Sequence, residues 1–197
     1  MDTSTPVATL HRHADDNLRF IRDAMSKAAQ FTAIPGWGGV AMGVTAIGAA
    51  LFAPHWAALG QWVAWWIGEA GVAVVIAAIT MTLKAQRLNL PLAAAPARRF
   101  AFAYLPPLAA GAVLTAVFVD NGLTSRLPGV WLLLYGVAIA VAGTFSIRVV
   151  QVMGLLFMGV GVAAFAAPAR YGDLFMAAGF GGLHIVFGFI IARKHGG

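Results

Sequence analysis

An all-α membrane bundle is the fold class this sequence predicts, and three observations predict it. Of the 197 residues, 60% are hydrophobic and only 10% charged, with a mean hydropathy of +0.82. A soluble domain of this length carries about 25% charged residues, and its surface could not be covered with so few. Second, the apolar residues gather into six runs, each close to the roughly 20 residues a helix needs to cross a hydrocarbon core about 30 Å thick. Third, all 13 Lys and Arg except Arg126 and Arg170 fall in alternate connections. The expected architecture is therefore a polytopic protein with six transmembrane helices. They are read as three antiparallel hairpins, preceded by a cytoplasmic amphipathic helix.

The chain divides into a cytoplasmic N-terminal segment over 1–34, the membrane bundle over 35–192 and a short cytoplasmic tail over 193–197. The first segment is polar and mixed in charge, without the basic start and short apolar core of a cleavable signal. Within it, "DDNLRFIRDAMSKAAQ" carries Leu18, Ile21, Met25 and Ala28 at helical spacing, with Arg19, Arg22, Asp23 and Lys27 elsewhere on the wheel. Asp15 and Asp16 suit the helix start, and Pro35-Gly36 suits the bend into the bilayer. Such a helix lies on the inner leaflet or docks a cytoplasmic partner.

The six runs cover 36–53, 61–83, 100–119, 130–147, 149–167 and 173–192. Turn chemistry separates most of them: Pro54, "NLPL", "DNG", "LPG" and "PARYGD". The break at "TFSIRVVQ" is weaker and is expected as a tight hairpin. With a cytoplasmic N-terminus, Arg126 and Arg170 are the basic residues left outside, which places both termini inside. A multi-pass protein of a bacterial-type inner membrane is the expected localisation. The lipid bilayer is its first partner, and the basic pI reports this topology rather than a nucleic-acid surface. Gly39 and Gly43 form a GxxxG pair, Gly136 opens a small-xxx-small row, and Gly181 and Gly182 flank the last run's polar centre. All five are candidate helix-packing positions, because small residues let helix backbones approach where lipid gives little drive to associate.

Polar residues inside the runs are the candidates for function. Glu69, the single glutamate, stands in "WWIGEAGVAVVI", about eight residues or roughly 12 Å below the outer end of its run. A charge at the helix centre costs about 2.5–3.5 kcal/mol on insertion scales, so protonation, a partner or a wet cavity must offset it. His184, in "GFGGLHIVFGF", is the one histidine within an apolar run. The two depths differ by about 6–7 Å at the same helical rise, a gap that facing side chains or one water can bridge. Tyr135 sits at a matching level, Trp66 shares the face of Glu69, and Asp173 lies at the outer rim of the last run. Together Glu69, His184, Tyr135, Trp66 and Asp173 outline a pocket open to the outer side. It suits a small-molecule, cation or proton ligand, with aromatic faces available to a cation.

Plainer readings stand beside this one. Glu69 and His184 can serve only as polar glue between two helices. "HWAALGQWVAWW" also reads as an interfacial aromatic belt, with Trp56 and Trp62 in the belt and Trp66 the better pocket residue. His11 and His13 are too few for a metal site, Asp120 is a turn residue, and the chain has no cysteine. One histidine in the apolar runs does not supply paired haem ligands. No HExxH, GxSxG or phosphate-loop sequence occurs. No catalytic residue, metal or cofactor is therefore expected. The functional expectation is binding or transport of a small ligand, cation or proton. The alternative is a non-transporting scaffold or sensor whose N-terminal helix docks a membrane or cytoplasmic protein.

Overall fold

The computed structural model describes residues 17–18, 30–53 and 59–196. The chain falls into two compact units, Met1–Gln30 and Phe31–Gly197. In the first unit residues 17–18 are helical. The remainder of the expected amphipathic helix lies outside the described residues, as does Trp56 of the expected belt.

The second unit is helical throughout its described length, apart from short turns and an isolated bridge between Phe31 and Ser146. Helix α1 spans Gly36–Phe52, α2 Leu59–Arg87, α3 Ala95–Asp120, α4 Leu127–Ala142 and α5 Arg148–Ala166. The last apolar run forms α6, Gly172–Met176, a π-helical segment, Ala177–Leu183, and α7, His184–His195. Among the described residues, five helical stretches are long and apolar enough to cross a membrane, as in a multi-pass membrane protein. α1, at 17 residues, is a shorter apolar helix.

Local chemistry sets the ends. Pro35 is extended (φ −79°, ψ 122°) and leads into α1, whose end at Ala53 turns extended before Pro54. α3 closes on Asn121, and Gly122 takes φ 68°, a left-handed conformation that costs glycine nothing. α3 also carries Pro106 and Pro107 internally. Neither can donate to the carbonyl four residues earlier, at Phe102 and Ala103. The weak break at 144–151 becomes a tight reversal: Ser146 is buried, its hydroxyl donates to the Phe31 carbonyl at 2.6 Å, and the Phe31 amide donates to the Phe145 carbonyl at 2.7 Å.

Close approaches follow the small residues. On α4, Gly136 and Ala140 meet Gly154 and Met158 of α5; a Cβ at Gly136 would sit 2.6 Å from the Met158 amide nitrogen. On α1, Gly39 meets Gly188 and Gly43 meets Gly181 and Ile185, so the first helix packs antiparallel to the last. Gly182 has only Ala177 of its own turn near the Cβ position, so it is not a packing glycine. Three hairpins in series were expected. The tightest approaches instead join α4 to α5 and α1 to α7, because those helices present facing rows of glycine and alanine. α2 packs chiefly on α1, and α3 on α4.

One basic residue is held inside the protein. Lys84, read from sequence as a cytoplasmic charge, is buried. Its Nζ donates to the carbonyls of Ile34, His195 and Gly196 at 2.9, 3.0 and 2.6 Å. Three ammonium donors thus meet three backbone acceptors, two of them at the C-terminal end of α7, where the helix dipole favours a cation. The contact ties α2 to the entry of α1 and the exit of α7.

Candidate functional site

Helical periodicity brings one face each of α2 and α3 to a common space. Trp66, Ala70, Ala73, Ala77 and Met81 line it from α2 at steps of three or four residues, with Glu69 beside Ala70. Ala97, Phe100, Tyr104, Leu108, Gly111 and Thr115 do the same from α3. The opposite faces carry Val75, Ile79, Phe102 and Val113, all strongly exposed. Behind the two helices, α1, α4, α5 and α7 complete a cavity of about 790 Å³. That lies within the range of roughly 300–1,000 Å³ typical of small-molecule sites.

Four of the five pocket residues expected from sequence, Glu69, His184, Tyr135 and Trp66, line this cavity. Glu69 is partly buried, and its Oε1 accepts from the Thr45 hydroxyl of α1 at 2.8 Å. That hydroxyl also lies 2.9 Å from the Met42 carbonyl in its own helix. Its single proton can serve one acceptor at a time. His184 is buried and makes no hydrogen bond to Glu69 among the described residues. Its Nε2 lies 2.7 Å from the Tyr135 hydroxyl and its Nδ1 2.9 Å from the Phe180 carbonyl. A carbonyl only accepts, so Nδ1 carries the hydrogen and, in the neutral ring, Nε2 receives the phenol proton. In place of a direct Glu69–His184 hydrogen bond, the described residues form two dyads, Glu69–Thr45 and His184–Tyr135, on one cavity.

The π segment positions the imidazole. His184 begins α7 where the seven-residue π-helix ends, and Phe180, its acceptor, belongs to that segment. Gly179 packs on Leu132 and Phe157, and Gly181 on Ile47. The wide turn therefore fits where side chains would collide. Such π insertions recur at functional positions. Phe157 and Phe180 flank the ring, with centroids 5.3 and 6.2 Å from it, and Tyr135 stands 5.5 Å away.

Asp173, the fifth expected residue, is not in the lining; it holds the roof. Its Oδ1 accepts from Trp62 Nε1 at 2.7 Å and Trp66 Nε1 at 3.0 Å. Trp62 stacks on Trp131 (centroids 5.5 Å apart, planes within 5°), and Trp131 Nε1 donates to the Thr115 hydroxyl at 2.8 Å. Trp62, expected in an interfacial belt, is fully buried. Its indole bonds to the carboxylate and stacks within the roof, which a belt residue at the headgroups would not do. Four helical segments, α2, α3, α4 and α6, are thereby joined across one end of the cavity.

Thr45, Thr115, Trp131 and Tyr104 were not singled out from sequence. Threonine in a membrane helix can satisfy its hydroxyl on its own backbone, so its presence in an apolar run carries no warning of a cross-helix bond. Trp131 and Tyr104 read as ordinary apolar packing. Comparison with protein-family models, curated proteins and solved structures finds no match.

Proposed function

We propose that this chain is a six-span protein of a bacterial-type inner membrane, with both termini cytoplasmic, that binds a small ligand inside its bundle as a carrier or capture subunit. One observation carries the reading. An acid from α2, a phenol from α4 and an imidazole from α7, far apart in sequence, line a single cavity of ligand-accommodating size. Polar glue between helices needs no chamber of 790 Å³ beside it. The Trp62, Trp66 and Trp131 roof closes the end where the outer opening was expected, so the entrance is assigned to the side, between α2 and α3.

Thermal unfolding of the purified protein against a broad panel of metabolites, amines and inorganic cations, over a range of pH, tests this reading. At least one compound or pH step is expected to raise the unfolding temperature of the wild type but not of Glu69→Gln or His184→Ala. A panel with no effect, or effects in both variants equal to those in the wild type, contradicts it.

A further inference from the structure

We infer that the ligand is a hydrophobic organic cation, an apolar body carrying one delocalised or tertiary-to-quaternary positive charge, and that it enters from the lipid between α2 and α3. This rests on the ligand-binding reading above and narrows it.

Charge comes first. Among the described residues that line the cavity, Glu69 alone is acidic and none is Lys or Arg. His184 has both ring nitrogens engaged, by Tyr135 and by the Phe180 carbonyl. Asp173 lies outside the lining, with two indole N–H groups on one oxygen. In a medium less polar than water a lone carboxylate acts over a longer range and favours a cation over an anion of the same shape. The walls agree with the sign. Trp66, Phe100, Tyr104, Trp131, Tyr135 and Phe180 present aromatic rings to the space, and such rings attract cations at their faces.

The rest of the lining decides against a small hydrated ion. Alanine, leucine, isoleucine, methionine and glycine make up most of it. One carboxylate and a few hydroxyls cannot replace the hydration shell of an inorganic ion, which takes several oxygen ligands. An organic cation keeps its charge spread over carbon and loses less on leaving water. Its apolar body fills the remaining volume.

Access follows from packing. The roof spans one end, and Lys84 draws the ends of α1 and α7 together at the other. Along the side, α2 packs on α1 and α3 on α4. These two helices are also the least buried of the membrane-length stretches. Ile67 and Val74 of α2 and Leu105 and Ala112 of α3 belong to the lining and are also exposed, so the cavity reaches the surface along these two helices, and Ala112 is the small residue at that seam.

The test uses two ions of nearly the same size and shape and opposite sign, tetraphenylphosphonium and tetraphenylborate. Binding to the full chain in lipid nanodiscs is measured with empty nanodiscs subtracted. Saturable binding of the phosphonium, roughly tenfold or more tighter than the borate, is expected. Glu69→Gln should remove that preference while the elution profile and helical circular dichroism stay unchanged. Ala112→Trp, which leaves the carboxyl in place and fills the seam, should weaken phosphonium binding as well; this variant keeps the test decisive if Glu69→Gln does not fold. Equal binding of both ions, as expected if acyl chains or any apolar body fill the space, overturns the inference. So does a preference that survives Glu69→Gln, or binding indifferent to Ala112→Trp. Absence of phosphonium binding, alongside Glu69-dependent stabilisation by a small hydrophilic compound, overturns this inference and leaves the broader ligand-binding reading standing.

Discussion

At Glu69 a carboxyl on a membrane helix, costing about 2.5–3.5 kcal/mol if charged at the helix centre, is met by a hydroxyl and an adjoining cavity instead of an opposite charge. Thr45→Val removes that hydroxyl with little change of shape. A loss of about 0.5–1.5 kcal/mol of stability is expected, the range measured for intramembrane hydrogen bonds, as read from reversible unfolding in mixed micelles. The Tyr135–His184 dyad is more deeply placed. Tyr135→Phe leaves a buried imidazole nitrogen without its donor, a change of about 1–3 kcal/mol. In the wild type, nitrogen-15 resonances of His184 should report a hydrogen on Nδ1 and a hydrogen-bonded, unprotonated Nε2. The opposite tautomer would refute the dyad as described. Glu69 and His184 were legible in the sequence because ionisable groups are conspicuous in apolar runs. Their partners Thr45 and the Phe180 carbonyl were not: threonine is unremarkable in a membrane helix, and a backbone acceptor is invisible in a sequence.

Helices show what residue patterns specify and what they leave open. The apolar runs gave the helices to within a few residues, since length and hydropathy fix where a helix is stable in lipid. Pairing was less legible, because any glycine-rich face can pack on any other. The structure selects α1 with α7 and α4 with α5. A Cβ at Gly43 would lie 2.6 Å from the Gly181 carbonyl oxygen, whereas Gly48 has open space around it. Gly43→Val should therefore lower stability by about 1–3 kcal/mol, while Gly48→Ala should raise it by about 0.5–1 kcal/mol through helix propensity. Equal effects at the two sites would show that α1 does not approach α7 as described. The π segment could not be read from hydropathy at all; its glycines signalled close approach, not an extra residue in the turn. At the roof, Asp173→Ala deprives two indole N–H groups of a charged acceptor and is expected to cost roughly 1.5–3 kcal/mol. Asp173→Asn, which retains an acceptor oxygen, should recover part of it.

For the molecule as a whole, the decisive relation is between distant parts of the chain. Composition foretold apolar membrane-length helices because so few charges cannot solvate a globule, and the distribution of Lys and Arg is the basis of the orientation proposed above. The cysteine-free chain makes orientation simple to test. In intact cells a cysteine at Ser125 should react with a membrane-impermeant maleimide, and one at Ala93 only after permeabilisation. The reverse pattern would invert the proposed topology. That several polar groups share one chamber could not be deduced from depth along each helix, since depth says nothing about which way a face turns. Side-chain-resolved density from the protein in lipid nanodiscs measures that most directly. Glu69, Tyr135 and His184 should border one continuous void, with the Tyr135 oxygen at hydrogen-bonding distance from His184 Nε2. Density that turns Glu69 outward into lipid, or seals His184 away from it in separate packing, would contradict the shared chamber and every functional conclusion built on it.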